Sequence, residues 1–193
     1  GIPVGPYLTH TTMEMAVHFE NTCVQLEDGG YRLKQVPVMN DFDDIYQRHN
    51  LIVAVEAAQT HQGWYQEFGP KYHPKTSQLI ERGLKTSSAD YEAALQAQQT
   101  FRQQFTTLMT VEGIDLWLSP PAQGAAPKGL GSTGDPIMNL PWTYGGFPAL
   151  NIPVSLNQRG LPMGLQVVAG WNQDEALLEW SLDIEKCLAI KSG

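Results

Sequence analysis

The chain has 193 residues, 42% hydrophobic and 17% charged, a balance that suits one folded domain with a real core and argues against intrinsic disorder. Its formal net charge of −8 at pH 7 argues against nucleic acid and anionic lipid as partners, because neither attracts an acidic surface. No apolar stretch approaches membrane-spanning length, and no n-region and h-region pair marks a signal peptide.

Gly1-Ile-Pro-Val-Gly5 lacks an initiator Met and reads like the interior of a longer protein. Thr11-Thr-Met-Glu14 fits a capping box, and Ala16, Phe19, Cys23 and Leu26 then share one helical face until Gly29-Gly30 ends the helix. Tyr31 to Val38 is β-prone but phase-shifted, and Pro37 makes it a short or edge strand. Asp41 to about Gln62 reads as a long helix with Ile45, Ile52, Val55 and Ala58 facing the core. Gly63 to Lys85 reads as irregular, punctuated by Gly69-Pro70 and His73-Pro74. A second long helix begins near Ser87-Ser-Ala-Asp90 and carries Ala94, Phe101, Phe105 and Leu108 at helical spacing.

Ile114 to Leu118 is a short apolar run ended by Pro120-Pro121, a buried strand. A Gly- and Pro-rich loop follows over Ala122 to Asp135, and a short helix opens at Pro136, where a missing N–H costs nothing. Leu150 to Leu156 and Leu165 to Ala169 read as two strands joined by the turn Asn157-Gln-Arg-Gly160. Their apolar content predicts both to be central and largely buried, with Leu150, Ile152, Leu165 and Val167 in the core. Asn172 with Glu175 caps a last helix bearing Leu177, Leu178, Ile184 and Leu188. Helices alternate with strands, so the fold class is α/β. The two cysteines, Cys23 and Cys187, lie far apart in helical patterns and read as buried reduced thiols, which fits a cytoplasmic protein.

Three motifs reduce to ordinary structure. Gly129-Leu-Gly-Ser-Thr-Gly134 matches G-x-G-x-x-G but lacks the strand before it and the helix after it that a dinucleotide site requires, so it reads as a glycine loop. Ser87-Ser88 precedes a good helix and reads as its cap. The histidines His10, His18, His49, His61 and His73 show no metal-ligand spacing with each other, with Cys or with Asp.

The C-terminal block is more specific. Asp115 leads to Pro120, followed by Thr133-Gly134, Trp142-Thr143, Gly146-Phe-Pro148-Ala149 with Pro153, and Gly160-Leu-Pro-Met-Gly-Leu-Gln166. In this order the segments resemble the C-terminal half of the amidase signature hydrolases. The upstream Gly1-Ile-Pro, Gly30 to Val36 and Ser87 to Tyr91 also have counterparts in that family, so the likeness covers nearly the whole chain. It implies a mixed β-sheet covered by helices and the hydrolysis of a carboxylic amide to an acid plus ammonia or an amine, with no cofactor and no metal.

That family cuts amides with a Ser-Ser pair and a Lys set in a glycine- and serine-rich segment. No Gly-Ser-Ser-Gly-Gly-like segment occurs here. The resemblance therefore implies that residues 1–193 are the C-terminal portion of one amidase domain, that the chain alone is inactive, and that none of its residues is catalytic. It would supply sheet strands and one wall of the substrate pocket. Met138, Trp142, Thr143 and Tyr144 are the expected wall, with Trp142 giving apolar area and Thr143 a hydrogen-bond handle; the competing reading makes Trp142 ordinary core. Expected partners are a small-molecule amide in the complete enzyme, and either the missing N-terminal half or a second copy, since severed sheet edges invite association. The rival readings are a non-catalytic binding or assembly domain on the same framework, and a complete small hydrolase using Ser88.

Overall fold

The computed structural model describes residues 1–189. Strand β1 (Ile2–Val4) leads into helix α1 (Met13–Asp28) and returns as β2 (Gln35–Pro37), which lies parallel to β1. Helices α2 (Phe42–Phe68), α3 (Pro74–Lys85) and α4 (Ser88–Glu112) follow in succession. Strand β3 (Leu116–Ser119), helix α5 (Leu140–Gly145), strands β4 (Ala149–Leu156) and β5 (Pro162–Ala169), and helix α6 (Asp174–Leu188) complete the order.

The last three strands form an antiparallel sheet in the order β3–β5–β4. Leu118 N–H donates to Gly1 O at 2.8 Å and Gly1 N donates to Leu116 O at 2.6 Å, the staggered pattern of a parallel bridge. These bonds set β1 beside β3 and give one mixed surface ordered β2–β1–β3–β5–β4. No described helix is long and apolar enough to cross a membrane.

Side-chain alternation assigns each strand residue to one of two cores. Leu118, Leu165, Val167 and Ala169 pack with Phe19, Leu26, Leu177 and Ile184 of α1 and α6. Trp117 and Val168 face the opposite way, into Ile45, Ile52, Phe101, Phe105 and Trp142. Strand β5 is therefore covered on both faces, which is why its apolar content exceeds simple alternation, with Gln166 as its one polar side chain.

Several expectations need correction. Strand β5 is central and buried beyond its first residue, but β4 is an edge strand with only Ile152 and Val154 buried and Leu150 half-buried. Its Asn151, Pro153 and Ser155 point outward, and Pro153, which has no N–H to donate, sits beside a register shift. The expected irregular stretch from Gly63 to Lys85 is largely helical: α2 runs on to Phe68, and α3 begins at Pro74. The prolines read there as breakers occupy first-turn positions, which tolerate them, and His73 caps α3 by accepting from Lys75 N–H at 3.3 Å. Gly83 lets α3 approach α2, because a Cβ there would collide with Ala54 O.

The capping assignments also shift. Thr12, not Thr11, accepts from Met15 N–H at 3.3 Å, and Glu14 turns away to accept from the Asn157 side chain at 3.1 Å. Residue Gln173 precedes α6 and gives it no side-chain cap, since its Oε1 accepts from Gly170 N–H at 3.2 Å. Leu178 faces solvent and Cys187 is only half-buried, whereas Cys23 is buried. Among the described residues both cysteines are free.

Candidate substrate recess

The segment between β3 and β4 builds the candidate site. After β3, Pro120-Pro121 turn the chain into a loop that is half-buried over residues 122–125 and exposed from there to Asp135. The Asp135 carboxylate accepts from Ile137 N–H at 2.9 Å and starts a single 3-10 turn over Pro136–Met138, from which α5 continues. Gly146 closes α5 at φ +70, a left-handed conformation that glycine adopts without a Cβ penalty.

The four expected wall residues separate into two groups. Met138, Trp142 and Tyr144 have their side chains enclosed in the core. Trp142 packs against Phe105, Trp117 and Phe147, with ring centroids 6.0, 6.5 and 6.5 Å away. The Tyr144 ring packs 5.3 Å from Phe101, and its hydroxyl has no hydrogen-bond partner among the described residues. Burial raises the Tyr144 phenol above its ordinary pKa, opposed by the Arg48 guanidinium. Thr143 alone of the four is exposed. The geometry of a helix explains the split, because successive side chains point about 100° apart and Thr143 falls between two core positions.

Thr143 lines a recess of about 400 Å³ in which Tyr46, His49 and Asn50 of α2 face Asp135, Asn139 and Thr143. His49 meets the Tyr144 ring edge-on at 6.3 Å. Burial lowers the His49 pKa from its ordinary value, opposed by Glu56. The recess thus presents hydroxyls, side-chain amides and an imidazole beside the Asp135 carboxylate, groups that hold a polar ligand through hydrogen bonds. The sequence does not single out His49 or Asn139 for this recess. His49 lies ninety-four positions before Thr143, and nothing local connects them.

A polar chain runs from the buried β3–β5 pair out to the recess. Ser119 Oγ donates to Gln166 Oε1 at 3.0 Å, Gln166 Nε2 donates to Asn139 Oδ1 at 2.5 Å, and Asn139 Nδ2 donates to Pro121 O at 3.1 Å.

Among the described residues no serine, cysteine or lysine lines the recess. Ser87 is the cap of α4, its Oγ accepting from Asp90 N–H at 3.1 Å and donating to Asp90 Oδ2 at 2.6 Å. The Gly129 to Gly134 loop is exposed and has no strand directly before it or helix directly after it, so the dinucleotide geometry is absent there. Among the described residues no three His, Cys, Asp or Glu side chains gather as a metal-binding group.

Comparison with known proteins agrees with this architecture. The chain is 35% identical over 110 residues to a glutamyl-tRNA(Gln) amidotransferase subunit of Rhodospirillum rubrum, an alignment covering 53% of this chain and 21% of that protein. It is 33% identical over 113 residues to human fatty-acid amide hydrolase 2, covering 56% of this chain and 20% of that one. A solved amidase structure superposes with a TM-score of 0.86 at 23% identity, over 97% of this chain and 45% of its own. The chain thus spans less than half the length of these relatives. A family model described as Amidase matches residues 1–178, and this chain belongs to that family, the amidase signature hydrolases.

Proposed function

We propose that this chain is the C-terminal part of an enzyme that hydrolyses a carboxylic amide to an acid plus ammonia or an amine. It contributes strands of the shared sheet and one wall of the substrate pocket. The observation that carries the reading is the recess itself, whose Thr143, Asn139 and His49 offer hydrogen bonds while no described serine, cysteine or lysine lines it. Thr143 contacts the substrate, while Met138, Trp142 and Tyr144 hold its helix rigidly from the core side, as a site supported by locked packing requires.

Amide hydrolysis also needs a nucleophile, a proton acceptor and donors for the developing oxyanion. These come from the complementary part of the enzyme, which pairs with the open sheet edges; in its absence the chain self-associates through them. The chain alone is inactive and acts in the cytoplasm, in keeping with its free thiols.

The test compares the chain alone with the complete protein on a panel of aliphatic and aromatic amides. Turnover is expected only in the complete protein, and Thr143→Val there should lower kcat/KM about tenfold, the loss of one hydrogen bond. Serine-inhibitor-sensitive turnover by the chain alone would overturn the division of labour. Absence of turnover in both would favour a non-catalytic framework domain. Light scattering of the dilute chain should show association, and a stable monomer would count against the open-edge reading.

A further inference from the structure

We propose that Gln166 is a positioning residue that aims the Asn139 side chain into the recess, so that Asn139 Nδ2 donates to the carbonyl oxygen of an uncharged carboxamide. The proposal rests on reading the recess as the amide site.

Gln166 sits on the central strand β5 and is 4% exposed. A buried primary amide must have its donors and acceptor satisfied, so its orientation is determined by its neighbours. Ser119, fully buried and directly opposite Gln166 in the β3–β5 register, donates its hydroxyl to Oε1. That bond turns the Gln166 NH2 group the other way, toward Asn139. An NH2 group can meet only the oxygen of the Asn139 amide, so Oδ1 is drawn inward and Nδ2 is directed outward. One hydrogen of Nδ2 goes to Pro121 O. The other has no protein partner among the described residues, on a side chain that is exposed and lines the recess.

The relay therefore sets which end of an otherwise symmetric-looking amide faces the ligand. It also ties together three segments that meet only in the fold: the turn after β3, the start of α5, and the middle of β5. The spacing Gly164-Leu-Gln166 fits this role. Both residues lie on one side of β5, and a Cβ at Gly164 would collide with Asn151 Oδ1, on the residue paired with Gln166 on β4.

Two single changes cut the relay at different points. Gln166→Glu keeps an acceptor for Ser119 but removes the donor to Asn139. Ser119→Ala removes the first bond and keeps the donor of the second. The experiment follows the Asn139 side-chain NH2 resonances of the full chain by NMR and titrates propionamide as the probe. In Q166E the Asn139 resonances should shift and propionamide affinity should fall about tenfold, as for one lost hydrogen bond. In S119A, which frees Gln166 to turn, the Asn139 resonances should shift and affinity should fall in the same direction, but by less than in Q166E, whose donor to Asn139 is gone altogether.

Should a buried carboxylate prevent Q166E from folding, Gln166→Met replaces it, removing both bonds without adding charge, with the same expected release of Asn139. Unchanged Asn139 resonances in the Gln166 variant would overturn the proposal, as would losses in S119A larger than those in Q166E, which would mark a structural role. If propionamide does not bind the wild-type chain, the amide reading of the recess fails, and the Asn139 resonances alone still decide whether Gln166 orients it.

Discussion

The Trp142 indole N–H donates to the Tyr7 hydroxyl at 3.1 Å, and that hydroxyl donates onward to Met138 O at 2.7 Å. Tyr7 and Trp142 are 135 positions apart, and both are buried. One phenol thus fastens the 3-10 turn ahead of α5, and α5 itself, to the N-terminal turn over Pro6–His10. The outer surface of that fastened segment carries Thr143 and Asn139.

Tyr7→Phe should therefore destabilise the chain more than the loss of one oxygen suggests. It leaves Trp142 Nε1 and Met138 O both buried without this partner, and an orphaned buried polar group costs about 1–3 kcal/mol. Urea unfolding should show a lower midpoint with an unchanged slope. Burial also raises the Tyr7 phenol well above its ordinary range. Its ionisation should accordingly be missing from a native ultraviolet pH titration and appear on unfolding. A normal tyrosinate absorbance from Tyr7 in the folded chain would contradict its enclosure.

Gly83→Ala tests the contact between α2 and α3. The added methyl would collide with Ala54 O, which belongs to a helix backbone and cannot rotate away. Overpacking of this kind costs about 1–3 kcal/mol, outweighing the gain of roughly 1 kcal/mol from replacing a helical glycine. Hydrogen exchange should show faster opening of α3, with α4 and β5 retaining their protection. A neutral or stabilising G83A would show that the two helices have room to separate.

Acid should weaken the fold through two histidines. Burial lowers the pKa of both His18 and His49 below 6.5, opposed at His18 by the Gly164 carbonyl and at His49 by Glu56. Below the unfolded pKa of about 6.5 the unfolded chain binds protons that the native chain resists, so stability rises with pH in that range. Their contribution is complete above about pH 6.5 and is lost progressively as pH falls below it toward the lowered native values. Thermal midpoints at pH 7.5 and 5.5 should differ, and His18→Gln with His49→Gln should flatten the difference. An unchanged slope in the double variant would assign the acid sensitivity elsewhere.

The two thiols should react at different rates. Cys23 is buried, and burial pushes its pKa up to about 12, which leaves almost no thiolate at pH 8. Cys187 is only partly covered. A disulfide reagent at pH 8 should label Cys187 in the native chain and Cys23 only after denaturation, read by peptide mass. Comparable native rates at both positions would mean that α1 and α6 separate readily.

Local pattern made much of this protein legible in the sequence alone. Ile45, Ile52, Val55 and Ala58 recur at helical spacing, and all four are buried along α2. Ser87 reads as a cap and is one. The apolar excess of β5 over simple alternation reports coverage on both faces, and the ordered Gly and Pro motifs point to the family that the match over residues 1–178 shows. These features are visible because they rest on near neighbours, helical and strand periods, and the φ limits of glycine and proline. Tertiary structure decided what depends on distant partners. Strand β4 lies at the edge because nothing described pairs with its outer side. Helix α3 exists where Gly83 meets Ala54. Thr143 faces outward while Trp142 turns in, because Tyr7 and the aromatic core claim the other faces of α5. Gln166 reads as one more polar residue of a motif until Ser119 and Asn139 are brought to its two ends. A hydrogen bond is a relation between two positions, and only the folded chain brings those positions within reach.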